Sequence, residues 1–338
     1  MKRILIILFI LVSCYGIVKS FILIPSENDE TTIVDLSWPA DAGAIGKLPD
    51  KRYFFLIAAK VDILPINITD HFKACISLNF QHGFVRNVHL SPKLWRIRVF
   101  RTSTENVLIE QGMDYELELL QCHETNLTRI PENINQLKKL RYLELPGNSI
   151  ETVLLDQLDS LNSLYAVDLS FNKIKHISCL GSVRVPSLSD LHLESNRLNH
   201  VDVCGWDMPL LSKLMLDRNN LTHFAINHFR KLKTVSIYKN PLNCVWKYSF
   251  LQNRKDVQYI GELSCDEKSA GVPILDCRPS NDQLQQQILD MNKRLQKMEA
   301  LLEKLGSRII EQQNVSNDII EAMYRMEIER ASHANKTV

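Results

Sequence analysis

LYAVDLSFNKI (Leu164–Ile174), LSDLHLESNRL (Leu188–Leu198) and LSKLMLDRNNL (Leu211–Leu221) repeat one pattern three times. Apolar residues fill the first, fourth, sixth and eleventh places, and an asparagine fills the ninth. LRYLELPGNSI (Leu140–Ile150) and LKTVSIYKNPL (Leu232–Leu242) extend the series on either side. LELLQCHETNL (Leu117–Leu127) belongs to it too, with Cys122 at an apolar core position and Thr125 in place of the asparagine. A weaker unit, LWRIRVFRT, begins at Leu94. The fourth position falls at Ile97, Leu120, Leu143, Val167, Leu191, Leu214 and Val235, in steps of 23, 23, 24, 24, 23 and 21 residues.

Alternating apolar residues in L-x-L make one short strand with a buried inner face. The asparagine follows where the chain turns, and its side chain can satisfy backbone groups left unpaired by the bend. No unit can bury its own apolar face, so stability must come from stacking on neighbours. Self-similarity at this period marks an α/β solenoid, a leucine-rich repeat horseshoe of about seven repeats. Such an array needs covered ends. The stretch Cys75–Gln81 is expected to begin the N-terminal cover, while 21–69 shows two strand-like runs and scattered prolines without a readable pattern.

Lys2 and Arg3 ahead of the apolar run Ile4–Val12, with a small-residue site at Val18-Lys19-Ser20, have the layout of a secretory leader. The expected organisation is 1–20 leader, 21–93 N-terminal region and cap, 94–243 repeats, 244–279 cysteine-containing cap, 280–330 coiled coil and 331–338 frayed tail. With 40 basic and 39 acidic residues, the chain has no strong electrostatic preference for nucleic acid or anionic membrane.

Of eight cysteines, Cys14 lies in the leader. Seven remain, and an odd number in an oxidising compartment leaves one without an intrachain partner. Cys179 and Cys204 occupy nearly the same place on consecutive turns and are expected to pair. Cys122 either reaches Cys75 or is a small core residue. After Asn240-Pro-Leu-Asn, Cys244 is expected to close the C-terminal cap with Cys265, while Trp246 stands where such caps carry a second cysteine. Cys277 is then the leftover thiol and the candidate for an interchain bond. Acceptor triplets at Asn67, Asn126, Asn220, Asn314 and Asn335 fit glycosylation in the same compartment.

From Asn281 the composition shifts to Gln, Lys, Glu, Leu and Met without proline. Leu284, Ile288, Met291, Leu295, Met298, Leu302, Leu305 and Ile309 alternate at spacings of four and three, and Ile319, Met323 and Met326 resume the register. A narrow two-position seam of this kind predicts an α-helical coiled coil.

No metalloprotease, thiol-redox, serine-hydrolase or complete phosphate-loop motif is present, and the histidines have no ligand spacing, so no enzyme activity, metal or cofactor is expected. Function then falls to surfaces. Residues flanking the buried strand positions line the concave face, where such arrays usually bind. Its middle is acidic, with Glu144, Asp168, Asp190 and Glu194 around His192. Its ends are basic, with Arg96, Arg98 and Arg101 on one side and Lys213, Arg218, Lys233 and Lys239 on the other. Tyr142, Tyr165, Phe171 and Tyr238 supply aromatic contacts.

Leader, short array, cysteine-bearing cap and coiled coil, in that order over Leu94 to Glu329, resemble the mosquito leucine-rich immune molecules, in particular their short class. The resemblance implies a haemolymph protein, disulfide-linked between array and coil to itself or to a second leucine-rich repeat chain. It implies binding to complement-like thioester-containing proteins, with Cys277 at the interchain position and the coil as the partner-binding module. Two other readings stay open: a matrix or cell-surface adhesion protein, and direct recognition of microbial glycans by the concave face.

Overall fold

The computed structural model describes residues 21–265 except 27, 46, 47, 49 and 73, together with Cys277, Met291, Lys293, 295–302, Lys304 and Leu305. The expected leader with Cys14, and the tail 331–338, lie outside the described residues. The chain divides into two units, Met1–Cys277 and Arg278–Val338.

The first unit is built on a fourteen-stranded sheet. Its strand pairings are parallel except the first, where Ile22–Pro25 runs antiparallel to Glu30–Val34 and covers the sheet edge. The seven expected rungs align without a slip: Ile97 opposite Leu120, Leu120 opposite Leu143, and so on through Val167, Leu191 and Leu214 to Val235. Each is 0–2% exposed, so the fourth position is the spine of the core.

The array is longer than the leucine pattern. It was expected to begin at Leu94, with a cap starting at Cys75–Gln81. Instead Thr31, Phe54 and Leu78 continue the ladder upstream of Ile97, and Tyr259 continues it downstream of Val235. Eleven parallel strands therefore carry rungs. Tyr53–Leu64 and Ser77–His89 are not cap but central strands, and they run past the turn to pair with Ser37–Trp38 and Asn106–Leu108.

One backbone feature shows why these units stack. Four residues after each of the first ten rungs the chain enters the left-handed region: Asp35, Ala58, His82, Arg101, Glu124, Gly147, Phe171, Ser195, Arg218 and Lys239, with φ between 50° and 70°. Non-glycine residues adopt this conformation at a cost of roughly 1 kcal/mol or more each. Its recurrence means that the turn is imposed by stacking and not by local preference. Gly83 follows one of these residues at φ 92°, and a Cβ there would meet Ala59 O at 2.5 Å, so only glycine fits between the two long strands.

One residue further on stands the asparagine. Asn172 Nδ2 donates to Leu145 O (2.9 Å) on the preceding turn and to Leu169 O (3.1 Å) on its own, while Oδ1 accepts from Ile150 N (3.1 Å). Asn196, Asn219 and Asn240 repeat the arrangement one turn at a time. Asn148 does so with an added bond from Thr125 Oγ1, the residue replacing asparagine in the preceding unit. Upstream, Thr104 Oγ1 donates to Val85 O at 2.6 Å and bonds Thr102. These buried bonds join backbone groups of neighbouring turns that would otherwise be unsatisfied.

The C-terminal end is closed by the helix Cys244–Asn253. Asn243 caps it by accepting from Trp246 N at 3.0 Å. Trp246, fully buried, donates Nε1–H to Phe224 O at 2.9 Å and stacks on Phe250 with ring centroids 5.6 Å apart. The tryptophan in place of a second cap cysteine is therefore the hydrophobic plug of the array. Arg254 closes the remaining carbonyls, donating to Ile226 O and Phe229 O at 3.2 and 3.3 Å.

In the second unit Met291, Lys293, 295–302, Lys304 and Leu305 are helical. The expected seam residues Leu284, Ile288, Ile309, Ile319, Met323 and Met326 lie outside the described residues.

Candidate functional site: the concave face and the sulfur cluster

Strand register sorts the outward side chains into rows. Asn79, Arg98, Gln121, Glu144, Asp168 and His192 are successive partners in one row. Gln81, Phe100 and His123 form a parallel row two residues further along each strand.

At the upstream end these rows enclose a depression of about 160 Å³ lined by Asn79, Gln81, Arg98, Phe100, Gln121 and His123. Arg98 Nε is buried with no hydrogen-bond partner among the described residues. Glu144 borders the depression, receiving a hydrogen bond from Gln121 and lying 3.2 Å from His123 Nε2. The His123 bond, aided by Gln121 and by the nearby charges of His123 and Arg98, holds the Glu144 carboxyl below its ordinary range despite its partial burial. Arg101, expected at the basic end of the face, is tied to Glu124 by two bonds of 2.9 and 3.2 Å.

Further along, His192 Nδ1 lies 3.3 Å from Glu194 Oε1, while Glu194 Oε2 is buried with no partner among the described residues. The bond to Glu194, helped by the charges of Glu194 and Asp168, raises the His192 pKa above its ordinary 6.5 against the opposing effects of burial and Lys213. A raised histidine pKa contributes stability that is present below the unfolded-state value and lost as pH rises through the folded one. An NMR titration is expected to place the His192 midpoint above 6.5, and Glu194→Gln to lower it; an unmoved midpoint would remove Glu194 as the cause.

The other expected contacts also fall on or beside this face. Tyr142 and Tyr165 meet edge to face at 6.0 Å, and Asp168 and Asp190 are half-buried in their strands. Phe171 and Arg218 occupy left-handed turn positions at the rim. Phe171 is 56% exposed. Arg218 lies over the Tyr238 ring at 5.7 Å, and Lys239 at 5.9 Å. Asn79, Gln81, Phe100, Gln121 and His123 were missed by sequence reading, although Gln121 and His123 stand one and three places after the rung Leu120, the phase that marks outward residues.

Two cysteine expectations need correction. Cys204 bonds Cys277, with Cα atoms 5.3 Å apart, and Cys179 is a free, half-buried thiol. Positions 179 and 204 do come close on adjacent turns, with Gly205 against the Cys179 sulfur, but spacing within the array says nothing of a competitor 73 residues downstream. Cys277 is therefore not the leftover thiol. Cys244 bonds Cys265 as the cap reading expects. Cys75 and Cys122 are both free and buried. Cys122 lies two strands from the strand that Cys75 precedes, roughly 10 Å at ordinary strand spacing and beyond disulfide reach. Burial pushes the pKa of each thiol to about 12, so both are inert core residues.

Asn67, Asn126 and Asn220 are exposed, the latter two six residues after a rung and so on one flank of the array. Asn314 and Asn335 lie outside the described residues. No group of three or more His, Cys, Asp or Glu is placed to hold a metal among the described residues, and no described helix is long and apolar enough to cross a membrane.

Comparison with known proteins gives the same picture of the fold. A leucine-rich repeat family model matches residues 162–221. Toll-like receptor 2 type-1 of Gallus gallus is 23% identical over 212 residues, 59% of this chain and 25% of the receptor. Biglycan of Xenopus laevis is 30% identical over 149 residues, 41% of this chain and 40% of the relative. The chain thus spans well under half the length of these curated relatives. Among solved structures, the leucine-rich repeat domain of LRIM1 superimposes with a TM-score of 0.52 at 14% identity, covering 69% of this chain and 82% of that domain. That likeness concerns the fold alone. The chain carries leucine-rich repeats over 162–221, within a solenoid whose parallel rungs run across eleven strands.

Proposed function

We propose that this chain is a secreted, non-enzymatic recognition protein of the haemolymph. In this reading it pairs through its C-terminal helix with a second leucine-rich repeat chain or another copy of itself, and the pair engages a complement-like thioester-containing protein. The observation that carries the pairing is the helix of the second unit. Met291, Leu295, Met298, Leu302 and Leu305 recur at spacings of four, three, four and three, and all are 49–65% exposed. An apolar seam of that width is the signature of a helix that packs on another helix.

The concave face supports a recognition role. Arg98 Nε and Glu194 Oε2 are buried polar atoms of opposite charge type without partners among the described residues. Such atoms call for an explanation, and a ligand that supplies their hydrogen bonds is one. They sit four strands apart, about 20 Å at ordinary strand spacing. That span suits a protein surface better than a single sugar.

The test is affinity capture from haemolymph by the full chain, by a deletion of 281–338, and by Glu144→Lys with Asp168→Lys. The proposal expects the deletion to abolish capture of a second chain and of the thioester-containing protein. Binding to microbial glycans that survives the deletion but is abolished by the charge reversals would favour direct recognition by the concave face.

A further inference from the structure

The cysteines hold more than two static staples. Cys179 and Cys204 lie on adjacent turns, and the chain at Gly205 presses directly on the Cys179 sulfur. A Cβ at position 205 would come within 2.6 Å of Cys179 Sγ and 2.4 Å of Gly181 O. Glycine is what lets the two turns close. Val183 N fastens them by donating to Gly205 O at 2.8 Å. A free thiol therefore sits against the peptide next to one half of the Cys204–Cys277 bond.

We propose that Cys179, Cys204 and Cys277 form one thiol–disulfide exchange site, in which Cys179 displaces Cys277 from Cys204. The Cys179 thiolate attacks Cys204 Sγ, the Cys204–Cys277 bond breaks, and the Cys179–Cys204 bond forms. Cys277 leaves as a thiolate and takes up the proton that Cys179 gave up. One disulfide and one thiol exist before and after, so no oxidant or reductant is consumed. The two residues occupy nearly the same place on consecutive turns, and Gly205, next to Cys204, packs against the Cys179 sulfur.

The environment restrains the step. Partial burial raises the Cys179 pKa, and the carboxylates of Asp156 and Asp202 raise it further, against a weaker opposing bond to the Gly181 backbone. Little thiolate is present near neutrality, and the rate is expected to rise about tenfold per pH unit while the thiol remains mostly protonated. Cys75 and Cys122, buried in the core, do not compete.

Cys277 is the last residue of the first unit. The bond to Cys204 anchors the chain to the array at that boundary, and exchange releases the anchor and leaves a thiol there. The use of that release rests on the pairing role proposed above; the sulfur chemistry does not.

The test uses the full chain, incubated without reductant at neutral and mildly alkaline pH, quenched and alkylated together with excess N-ethylmaleimide at mildly acidic pH, then peptide-mapped. At the start the label is expected on Cys179. With time the label on Cys277 is expected to rise severalfold, in step with a Cys179–Cys204 linked peptide, and faster at the higher pH. Cys179→Ser, checked for native circular dichroism, should leave Cys277 unlabelled throughout. Label confined to Cys179 at all times, or Cys277 labelled equally in the Cys179→Ser variant, would overturn the proposal. Neither result bears on partner capture, and failed capture with intact exchange would count only against the pairing role.

Discussion

Asn196→Ala is expected to lower the stability of the array by about 3–5 kcal/mol, an unusually large effect for loss of one polar side chain. The size follows from what Asn196 joins. Its amide donates to Leu169 O (2.9 Å) and Leu193 O (3.1 Å), and its oxygen accepts from Ile174 N (3.0 Å). All of these groups are buried. Alanine leaves them without partners, and each unmade bond costs roughly 1–3 kcal/mol, less whatever relaxation recovers. Asn199→Ala, three residues away and exposed, should fall within about 0.5 kcal/mol of the parent. Urea unfolding of the two variants side by side is the measurement. A loss at Asn196 no greater than at Asn199 would mean that the asparagine ladder does not hold the turns together.

Trp246→Ala should cost about 3–5 kcal/mol by a different mechanism, a cavity at the end of the stack. The ring is fully buried between Phe224 and Phe250, with centroids at 5.4 and 5.6 Å. Its removal also orphans the Phe224 carbonyl. Repeat arrays depend on covered ends, so the last repeats should loosen first. Thermal melts followed by limited proteolysis are expected to show early cleavage in the region of 224–243. A variant that melts with the parent would mean that the Cys244–Cys265 bond closes the end unaided.

Legibility of the array in the sequence tracks the asparagine ladder. From Leu117 to Leu242 the leucines, the asparagines and the single threonine replacement could be read because each side chain has one job at one phase. Upstream the same backbone is built without them. Phe54, Leu78 and the left-handed residues Ala58 and His82 make the same rung and turn, but aromatic and β-branched residues in strands of 12 and 13 residues hide the period. Left-handed geometry at Asp35 or Ala58 leaves no compositional mark, since neither residue announces it. On the concave face Tyr142, Glu144, Asp168 and His192 were readable from phase, while Phe100 and His123 in the upstream units were not. Nor were the amides of Asn79, Gln81 and Gln121, because uncharged polar side chains look the same on a binding face as on any wet surface. The disulfide exchange of partners had another cause: proximity of Cys277 to Cys204 is a property of the folded chain over 73 residues, and no local spacing encodes it.

One continuous parallel sheet starts near Thr31, not at Leu94, and presents a single outward face. Hydrogen exchange read by mass spectrometry tests that continuity most directly, since amides in a stacked ladder open only with the array. Peptides covering Phe54–Leu56 and Leu78–Phe80 are expected to exchange as slowly as those covering Leu143 and Val167. Rapid exchange across residues 53–89, with 117–243 still protected, would contradict the account and confine the face to the leucine-bearing turns.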